Sequence, residues 1–387
     1  MNPIKILILL FIIVAISCNL DKWDLPEDGV PNYSTTLTSV EVKSSMKSNT
    51  IALSDEEFLI AIEDENSTIE LISINQSFVD NDWQLDDQLL NSYGTGQLRF
   101  FDTLDNQYLL GILSASGEFN ISRIDESFNV INQNNAFETF IDTAYNNVDS
   151  IDFLNFSVAK NSDEIILGGK VHTQGTSFSC VLSIDRDLNP LWFKTYFENS
   201  IITDVTMLDD GTYLLLNSDD QGTDLIRDDK TSSNYKKYNL SNDQLFFGAE
   251  SFVADGKIYL TGIHNQIGRL IEVDIITFSA FVNEIEIYPV KEFAALYFSS
   301  DNIVTAGIHS EQGGEELFSS ELESLGSQWC NRYADEEYVE ILDIIGLPIK
   351  GILISSIVED SGQFYLHITR IDNEGATFTN IYSENCI

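Results

Sequence analysis

Seven short apolar runs recur along the chain, each flanked by polar turn residues. Within a run the residues are almost continuously apolar instead of alternating with polar ones, as expected of a β-strand that is buried on both faces. The runs begin near Phe58, Tyr108, Ile165, Tyr213, Ile258, Ile303 and Ile352. Because they recur about every fifty residues, the pattern indicates a sevenfold internal repeat.

Each repeat has the same order of segments: an apolar stretch, the strongly apolar run, a third apolar stretch that ends near an acidic residue, and an aromatic stretch. The third stretches end near Ile74, Ile124, Ile184, Ile226, Val273, Glu321 and Ile371. Four short strands per unit, seven times over, predict an all-β fold, a β-propeller of seven four-stranded blades. Six or eight blades are the alternatives if the irregular repeat at 220–240 is misassigned.

Turn residues support these strand assignments. Asp209-Asp210-Gly211 and Asp255-Gly256 precede second strands and are typical of tight hairpins. An aromatic residue follows the third strand by seven to nine positions in five repeats, and we expect it to fill the space between blades. These residues are Trp83, Trp192, Phe281, Trp329 and Phe378. Residues 35–43 either form a strand that joins the last blade or lead into the first blade without pairing.

The charge is strongly negative, with 62 acidic residues against 20 basic ones and a formal net charge of −42. Such a surface disfavours nucleic acid, because binding depends on Lys and Arg side chains that neutralise phosphates. Anionic lipid head groups are disfavoured for the same reason. The acidity serves solubility or adaptation to salt, or else it attracts cations or basic partners.

The N-terminus has the pattern of an export signal. Lys5 precedes an unbroken apolar run over residues 6–16, which is too short to span a bilayer. Ala15-Ile16-Ser17-Cys18 follows and resembles a bacterial lipobox. The resemblance implies cleavage after Ser17 and attachment of diacylglycerol and an N-acyl chain such as palmitate to Cys18. The alternative is an ordinary secretory signal with an incidental cysteine.

These features divide the chain into three parts. Residues 1–17 are the expected signal peptide, 18–40 a lipidated N-terminus and flexible tether, and 41–387 the propeller domain. The expected membrane partner is reached through the lipid anchor, because two or more acyl chains hold a protein stably. Asn19 is not the Asp that favours inner-membrane retention in enteric lipoproteins. The analogy therefore favours an outer-membrane or cell-surface location, with the leaflet left open.

Three cysteines remain after Cys18. Cys180 lies inside an apolar run and is interpreted as a buried strand residue. Cys330 and Cys386 lie in the last two repeats and are candidates for a disulfide, although spacing alone does not fix connectivity.

One repeat resembles a known class of propeller. Ser183-Ile184-Asp185-Arg186-Asp187-Leu188-Asn189-Pro190-Leu191-Trp192, followed by Asp209-Asp210-Gly211-Thr212-Tyr213-Leu214, is similar to propeller repeats of bacterial secreted lipoproteins. The resemblance extends over about residues 45–385. It lacks the motifs of quinoprotein and WD40 blades, so it implies a fold and no particular activity.

Motifs for chemistry are few. His264 and His309 occupy equivalent positions, in Thr261-Gly262-Ile263-His264 and Ala306-Gly307-Ile308-His309. With a carboxylate such as Glu311 they are candidate metal ligands, although shared repeat ancestry alone explains the match. Calcium is a candidate cofactor at the acidic turn over residues 218–224, for which a simple solvated turn is the alternative. No catalytic residue is assigned.

These observations favour a non-enzymatic envelope lipoprotein whose propeller binds a protein or a glycan, because propellers present variable loops on a rigid scaffold. The alternative is an enzyme that processes extracellular polysaccharide or peptide at the mouth of the central channel. It requires carboxylates or histidines that converge there with perturbed pKa values. A third hypothesis is that the protein is a structural module of an envelope or secretion assembly.

Overall fold

The computed structural model describes most of the chain from Tyr33 to Ile371. The described ranges are 33–43, 49–54, 56–79, 82–145, 147–158, 163–231, 235–239, 247–254, 256–264, 266–274, 277, 280–284, 290–299, 302–311, 314–323, 326–333, 337–347 and 351–371. Within them the backbone forms strands throughout, interrupted by one short helix.

The strands form seven four-stranded antiparallel sheets, or blades. Blade 1 contains β2 (Asn49–Ala52), β3 (Glu57–Glu63), β4 (Thr68–Val79) and β5 (Asp82–Thr95). Blade 2 contains β6 (Gln97–Leu104), β7 (Gln107–Leu113), β8 (Phe119–Ile124) and β9 (Val130–Asn134). Blade 3 contains β10 (Val148–Val158), β11 (Glu164–Thr173), β12 (Thr176–Asp185) and β13 (Pro190–Glu198). Blade 4 contains β14 (Ile201–Met207), β15 (Tyr213–Asp219), β16 (Gly222–Asp228) and β17 (Lys236–Asn239).

The remaining blades follow the same order. Blade 5 contains β18 (Phe247–Ala254), β19 (Lys257–His264), β20 (Ile267–Asp274) and β21 (Ala280–Glu284). Blade 6 contains β22 (Val290–Ser299), β23 (Asn302–Glu311), β24 (Gly314–Glu323) and β25 (Gly326–Tyr333). Blade 7 contains β26 (Glu337–Gly346), β27 (Ile352–Asp360) and β28 (Gln363–Ile371), and its fourth strand is β1 (Tyr33–Glu41).

The predicted seven-bladed propeller is therefore confirmed. Each strongly apolar run forms the second strand of a blade. The innermost strands contact one another in succession, and β26 contacts β2 to complete the ring. A helix, α1 (Phe137–Tyr145), lies between blades 2 and 3 and buries Phe137 and Ile141. This insertion accounts for the longest repeat interval, the 60 residues from Ile124 to Ile184.

Strand β1 closes the ring. It pairs antiparallel with β28, with Tyr33 opposite Arg370 and Thr36 opposite His367. Of the two roles open for residues 35–43, the pairing role is the correct one. The hydrogen-bonded strand begins at Tyr33, within residues 18–40, and the division of the chain into signal peptide, tether and propeller domain stays a prediction. The signal peptide and the rest of the expected tether lie outside the described residues.

The second strands contribute to two cores at once, which is why they are apolar at successive positions. Phe58 and Ile60 of β3 pack in the core that blade 1 shares with blade 7. Leu59 and Ala61 of the same strand pack in the core shared with blade 2. Because neighbouring side chains leave opposite faces of a sheet, one strand supports both adjoining blades. Within the described residues, no helix has the length and hydropathy needed to cross a bilayer.

Candidate functional site

Polar side chains link the innermost strands of neighbouring blades. The Asn49 Oδ1 atom accepts a hydrogen bond from the Phe101 backbone N–H at 3.0 Å. Asp204 Oδ2 accepts one from the Ser251 N–H at 2.6 Å, and Asp343 Oδ2 one from the Thr50 N–H at 2.7 Å. These N–H groups lie on the inner edge strands of the ring, where the sheet offers no partner, so the side chains satisfy them.

The three acceptors occupy the same place in their blades. The β-sheet register shifts immediately before Asp204 and before Asp343, which is the signature of a β-bulge. These three residues are not among the candidates drawn from the sequence. A signal was present, because Asn49, Asp204 and Asp343 each stand nine positions before the first residue of an apolar run, namely Phe58, Tyr213 and Ile352.

Blades 2 and 3 are joined by an ion pair instead. The Arg99 guanidinium donates from Nε to Asp152 Oδ1 at 2.7 Å and from Nη2 to Asp152 Oδ2 at 2.9 Å. Both side chains are largely buried, which makes this two-point contact specific as well as strong.

Two carboxyl groups of the inner ring have perturbed pKa values. Burial raises the pKa of Asp343 to about 7, against the opposing effect of its hydrogen bonds from Thr50 and Ile344, and the nearby charge of Asp102 adds to the increase. Burial also raises the pKa of Asp102. Asp343 nevertheless keeps part of its accessible surface and Asp102 is exposed. Both stand on innermost strands of the ring, β26 and β6.

A second concentration of polar and aromatic groups lies where blade 3 meets blade 4. On β13, Trp192, Lys194 and Tyr196 alternate along the strand and so leave the same face of the sheet. Trp192 and Tyr196 pack against the buried core shared with blade 4. We call this region the blade 3/4 seam; it comprises Glu164, Trp192, Lys194, Tyr196 and Phe197 of blade 3 and Tyr213, Asp224, Asp228, Lys230, Tyr235 and Lys237 of blade 4.

Asp228 is the buried centre of the seam. Its side chain has no exposed surface. Lys194 Nζ lies 2.5 Å from Asp228 Oδ2, and the Tyr196 hydroxyl donates to the same oxygen at 2.9 Å. Burial, followed by the neighbouring Tyr213 and Asp228, raises the pKa of Tyr196 well above its usual value. The Tyr196 hydroxyl therefore stays protonated and acts as a hydrogen-bond donor.

One end of the seam is organised by Glu164. Its Oε1 atom accepts hydrogen bonds from the Trp192 indole Nε1 at 2.6 Å and from the Ser183 hydroxyl at 2.7 Å. The Trp192 ring stacks on Tyr213 of blade 4, with centroids 5.8 Å apart. The prediction that Trp192 fills the space between blades is thus confirmed. The side chains of Trp83, Phe281 and Trp329, and the whole of Phe378, lie outside the described residues.

The other end of the seam is built around Tyr235, whose residue is 37% exposed. Its ring makes edge-to-face contacts with Tyr196 and with Phe197, at centroid distances of 6.0 Å and 5.8 Å. Lys237 Nζ lies 4.7 Å from the Phe197 ring centroid and 2.6 Å from Asp224 Oδ2. An aromatic ring is therefore held in a fixed position while part of it faces solvent.

The candidate metal ligands occupy equivalent backbone positions. His264 and His309 each lie six residues after the start of an apolar run, toward the end of β19 and β23 in adjacent blades. Their side chains, and that of Glu311, lie outside the described residues, so the metal site stays a prediction. Among the described residues, no group of three or more His, Cys, Asp or Glu side chains is placed to hold a metal ion.

The acidic turn proposed for calcium is the hairpin between β15 and β16. Asp219 Oδ1 accepts a hydrogen bond from the Gln221 N–H at 2.7 Å, and Asp224 is paired with Lys237. These contacts are typical of a turn closed by its own side chains. They do not test calcium binding, which stays a prediction.

The cysteine predictions have different outcomes. Cys180 is a buried, free cysteine on β12, as expected, and burial raises the pKa of its thiol. Cys330 lies on β25, but its side chain is not among those described. Cys18 and Cys386 lie outside the described residues, so the lipidation and the disulfide are not tested.

Comparison with known proteins gives distant structural matches only. No protein-family model and no curated protein matches the chain. A solved structure described as the Dos1 propeller aligns with 87% of this chain and 95% of its own, at 8% identity and a TM-score of 0.47. A protein of unknown function from Bacteroides caccae covers 71% of this chain and 93% of its own, at 13% identity and a TM-score of 0.44. The Aleuria aurantia lectin AAL, in complex with Fucalpha1-6GlcNAc, covers 75% and 96%, at 11% identity and a TM-score of 0.46.

Proposed function

We propose that the chain is a cell-envelope lipoprotein, anchored through Cys18, whose propeller binds a partner at the blade 3/4 seam. The observation that carries the binding role is the seam itself. It combines a partly exposed aromatic ring, fixed by two further rings, with charged groups held by buried partners. Rigid aromatic anchors next to oriented polar groups are typical of recognition surfaces.

The rest of the ring supports a scaffold role. The inner strands are joined by side-chain hydrogen bonds and an ion pair, and the second strands are buried on both faces. Such a framework holds surface groups in place without needing to move. The partner is a glycan or a protein of the envelope, and the anchor keeps the domain outside the cell.

The binding role is tested by capture. The full-length chain in detergent micelles is immobilised and exposed to envelope polysaccharides and to solubilised envelope proteins. We expect retention of one of these classes, reduced by Tyr235→Ala. Retention of neither class would contradict the binding role.

The anchor is tested separately. We expect wild-type protein to incorporate a labelled fatty acid and to fractionate with membranes, and Cys18→Ala to do neither. Membrane fractionation of the variant equal to that of wild type would contradict the anchor.

One observation favours an enzyme at the channel as a second candidate. Asp343 has a pKa of about 7, and Asp102 nearby also has a raised pKa, as a proton-transferring carboxyl pair requires. Both oxygens of Asp343 accept backbone hydrogen bonds, however, which ties this group to the ring. Hydrolysis of an envelope polysaccharide that is lost in Asp102→Asn would establish this candidate.

A further inference from the structure

We infer that the ligand of the blade 3/4 seam is an uncharged oligosaccharide; this inference rests on the binding role proposed above and names its ligand. Three features of the seam support this ligand class: the local charge, the exposed aromatic surface, and the spacing of polar groups along β13.

The seam is nearly neutral within a very acidic molecule. Acidic residues outnumber basic ones by 62 to 20 in the chain as a whole. In the seam, three lysines are paired with three carboxylates: Lys194 with Asp228, Lys230 with Glu164, and Lys237 with Asp224. An anionic ligand would oppose the net negative field of the molecule, and a cationic ligand would have to compete with the lysines for the carboxylates of the seam. An uncharged ligand does neither.

Tyr235 supplies a stacking surface. Its ring is positioned by Tyr196 and Phe197, and its hydroxyl makes no hydrogen bond within the described part of the chain. The π-face of an aromatic ring carries partial negative charge, which attracts the weakly positive C–H groups on the apolar face of a sugar ring. Because the ring is already fixed, stacking on it loses little conformational entropy.

The polar groups are spaced for a chain of sugars. From Trp192 to Tyr196 the strand advances by four residues, about 13 Å at 3.3 Å per residue. Donors and acceptors border this length, including Lys230 at one end, which is 58% exposed, and Lys237 at the other, which is 37% exposed. Sugar hydroxyls both donate and accept hydrogen bonds, so they suit these lysines and the partly exposed carboxylates paired with them, Glu164 and Asp224.

A protein partner fits less well. Protein hot spots bury large aromatic side chains in a dry centre, whereas Trp192 and Tyr196 are already packed inside this molecule. The seam instead exposes one aromatic ring, Tyr235, and a lysine–carboxylate pair at each end.

The test is a titration of the full-length chain, in detergent micelles, with defined ligands. The neutral probes are cellohexaose, laminarihexaose and mannohexaose; the charged probes are oligogalacturonate and hexalysine. We expect at least one neutral probe to bind and oligogalacturonate not to bind. Any binding of hexalysine should be non-specific attraction to the net charge of −42 and should be the same for wild type and Tyr235→Ala. Tyr235→Ala should lower the affinity for the neutral probe by about tenfold or more. Tyr235→Phe should keep most of the affinity because the ring remains.

Leu191→Ala is the matched control. Leu191 lies on the same strand, is 50% exposed, and leaves the opposite face of the sheet from Trp192. We expect affinity within about twofold of wild type for this variant. Circular dichroism and thermal unfolding of each variant establish that the fold is retained.

The outcomes separate the inference from the function on which it rests. Binding of a neutral probe that Tyr235→Ala leaves unchanged overturns the assignment to the seam. Binding of a charged probe only, weakened by Tyr235→Ala, or capture of an envelope protein with no saccharide binding, overturns the ligand class and leaves the binding role intact. Failure of every saccharide and of every envelope component overturns both.

Discussion

At the scale of single residues, one polar side chain links the inner strands of neighbouring blades at three junctions within the described part of the ring. Asn49, Asp204 and Asp343 do the same work with different chemistry, since an amide and a carboxylate both offer an acceptor oxygen to the next blade. The amide accepts without carrying a charge into the ring. Asp343 does carry one, and burial raises its pKa to about 7 for that reason.

Asp343→Asn should therefore change the pH dependence of stability. Because the folded pKa of Asp343 is about 7 and its usual value is 3.8, the folded state holds the proton more tightly. The stability that the protonated Asp343 side chain contributes is fully present below pH 3.8 and is lost as the pH rises through about 7. The loss amounts to about 4 kcal/mol at most. We expect urea unfolding to show that the unfolding free energy of the variant, relative to that of wild type, is higher at pH 8 than at pH 5. An equal difference in unfolding free energy between variant and wild type at the two pH values would contradict this explanation.

Asp228→Asn should be severely destabilising. The Lys194 side chain is only 22% exposed, and the substitution removes its carboxylate partner. Removing one member of a buried pair costs about 3–5 kcal/mol of stability. Asp224→Asn is the matched control in the same blade, because Lys237 is more exposed and such pairs contribute about 1 kcal/mol or less. Similar unfolding free energies for the two variants would show that Asp228 is not the buried centre of the seam.

At the scale of elements, β1 holds together two distant parts of the chain. Leu37 and Val40 are buried in the core between blades 7 and 1, together with Phe58, Leu353 and Leu366. Ser39 Oγ donates to Asp87 Oδ1 of blade 1 at 2.7 Å. The strand thus pairs with one blade and packs on the next, which closes the ring without a covalent bond.

Leu37→Ala should loosen this closure. Truncation of a buried leucine costs about 2–5 kcal/mol, and the loss should fall first on the contact between β1 and β28. Hydrogen exchange of the Gln363–Ile371 amides should accelerate, with smaller effects in β11 and β15. Glu41→Ala, at an exposed position of the same strand, is the control. Unchanged exchange in β28 would contradict the closing role of β1.

Some of these elements were predictable from the sequence and others were not. The second strands were predictable because burial on both faces requires consecutive apolar residues, such as Leu214 and Leu215. The pairing of β1 with the last blade was predictable only as one of two alternatives, because β28 lies more than three hundred residues away and a strand's local pattern does not name its neighbour. The seam was foreseen only as Trp192 filling a space, since the convergence of Lys194 on Asp228 depends on how two blades meet.

At the scale of the whole molecule, the net charge of −42 opposes a compact state. Added sodium chloride should therefore raise the melting temperature by several degrees between low salt and physiological ionic strength, where the screening length falls to about 8 Å. The measurement is thermal unfolding over a salt series at neutral pH. A melting temperature that falls or stays constant would show that self-repulsion does not limit stability.

The most direct test of the account is hydrogen–deuterium exchange of the full-length chain with and without the neutral hexasaccharide that binds. We expect slower exchange in Pro190–Glu198 and in residues 228–231 and 235–239, on the two sides of the blade 3/4 seam, with little change in the inner strands. Protection confined to the channel-lining strands β6 and β26, with none at the seam, would contradict it.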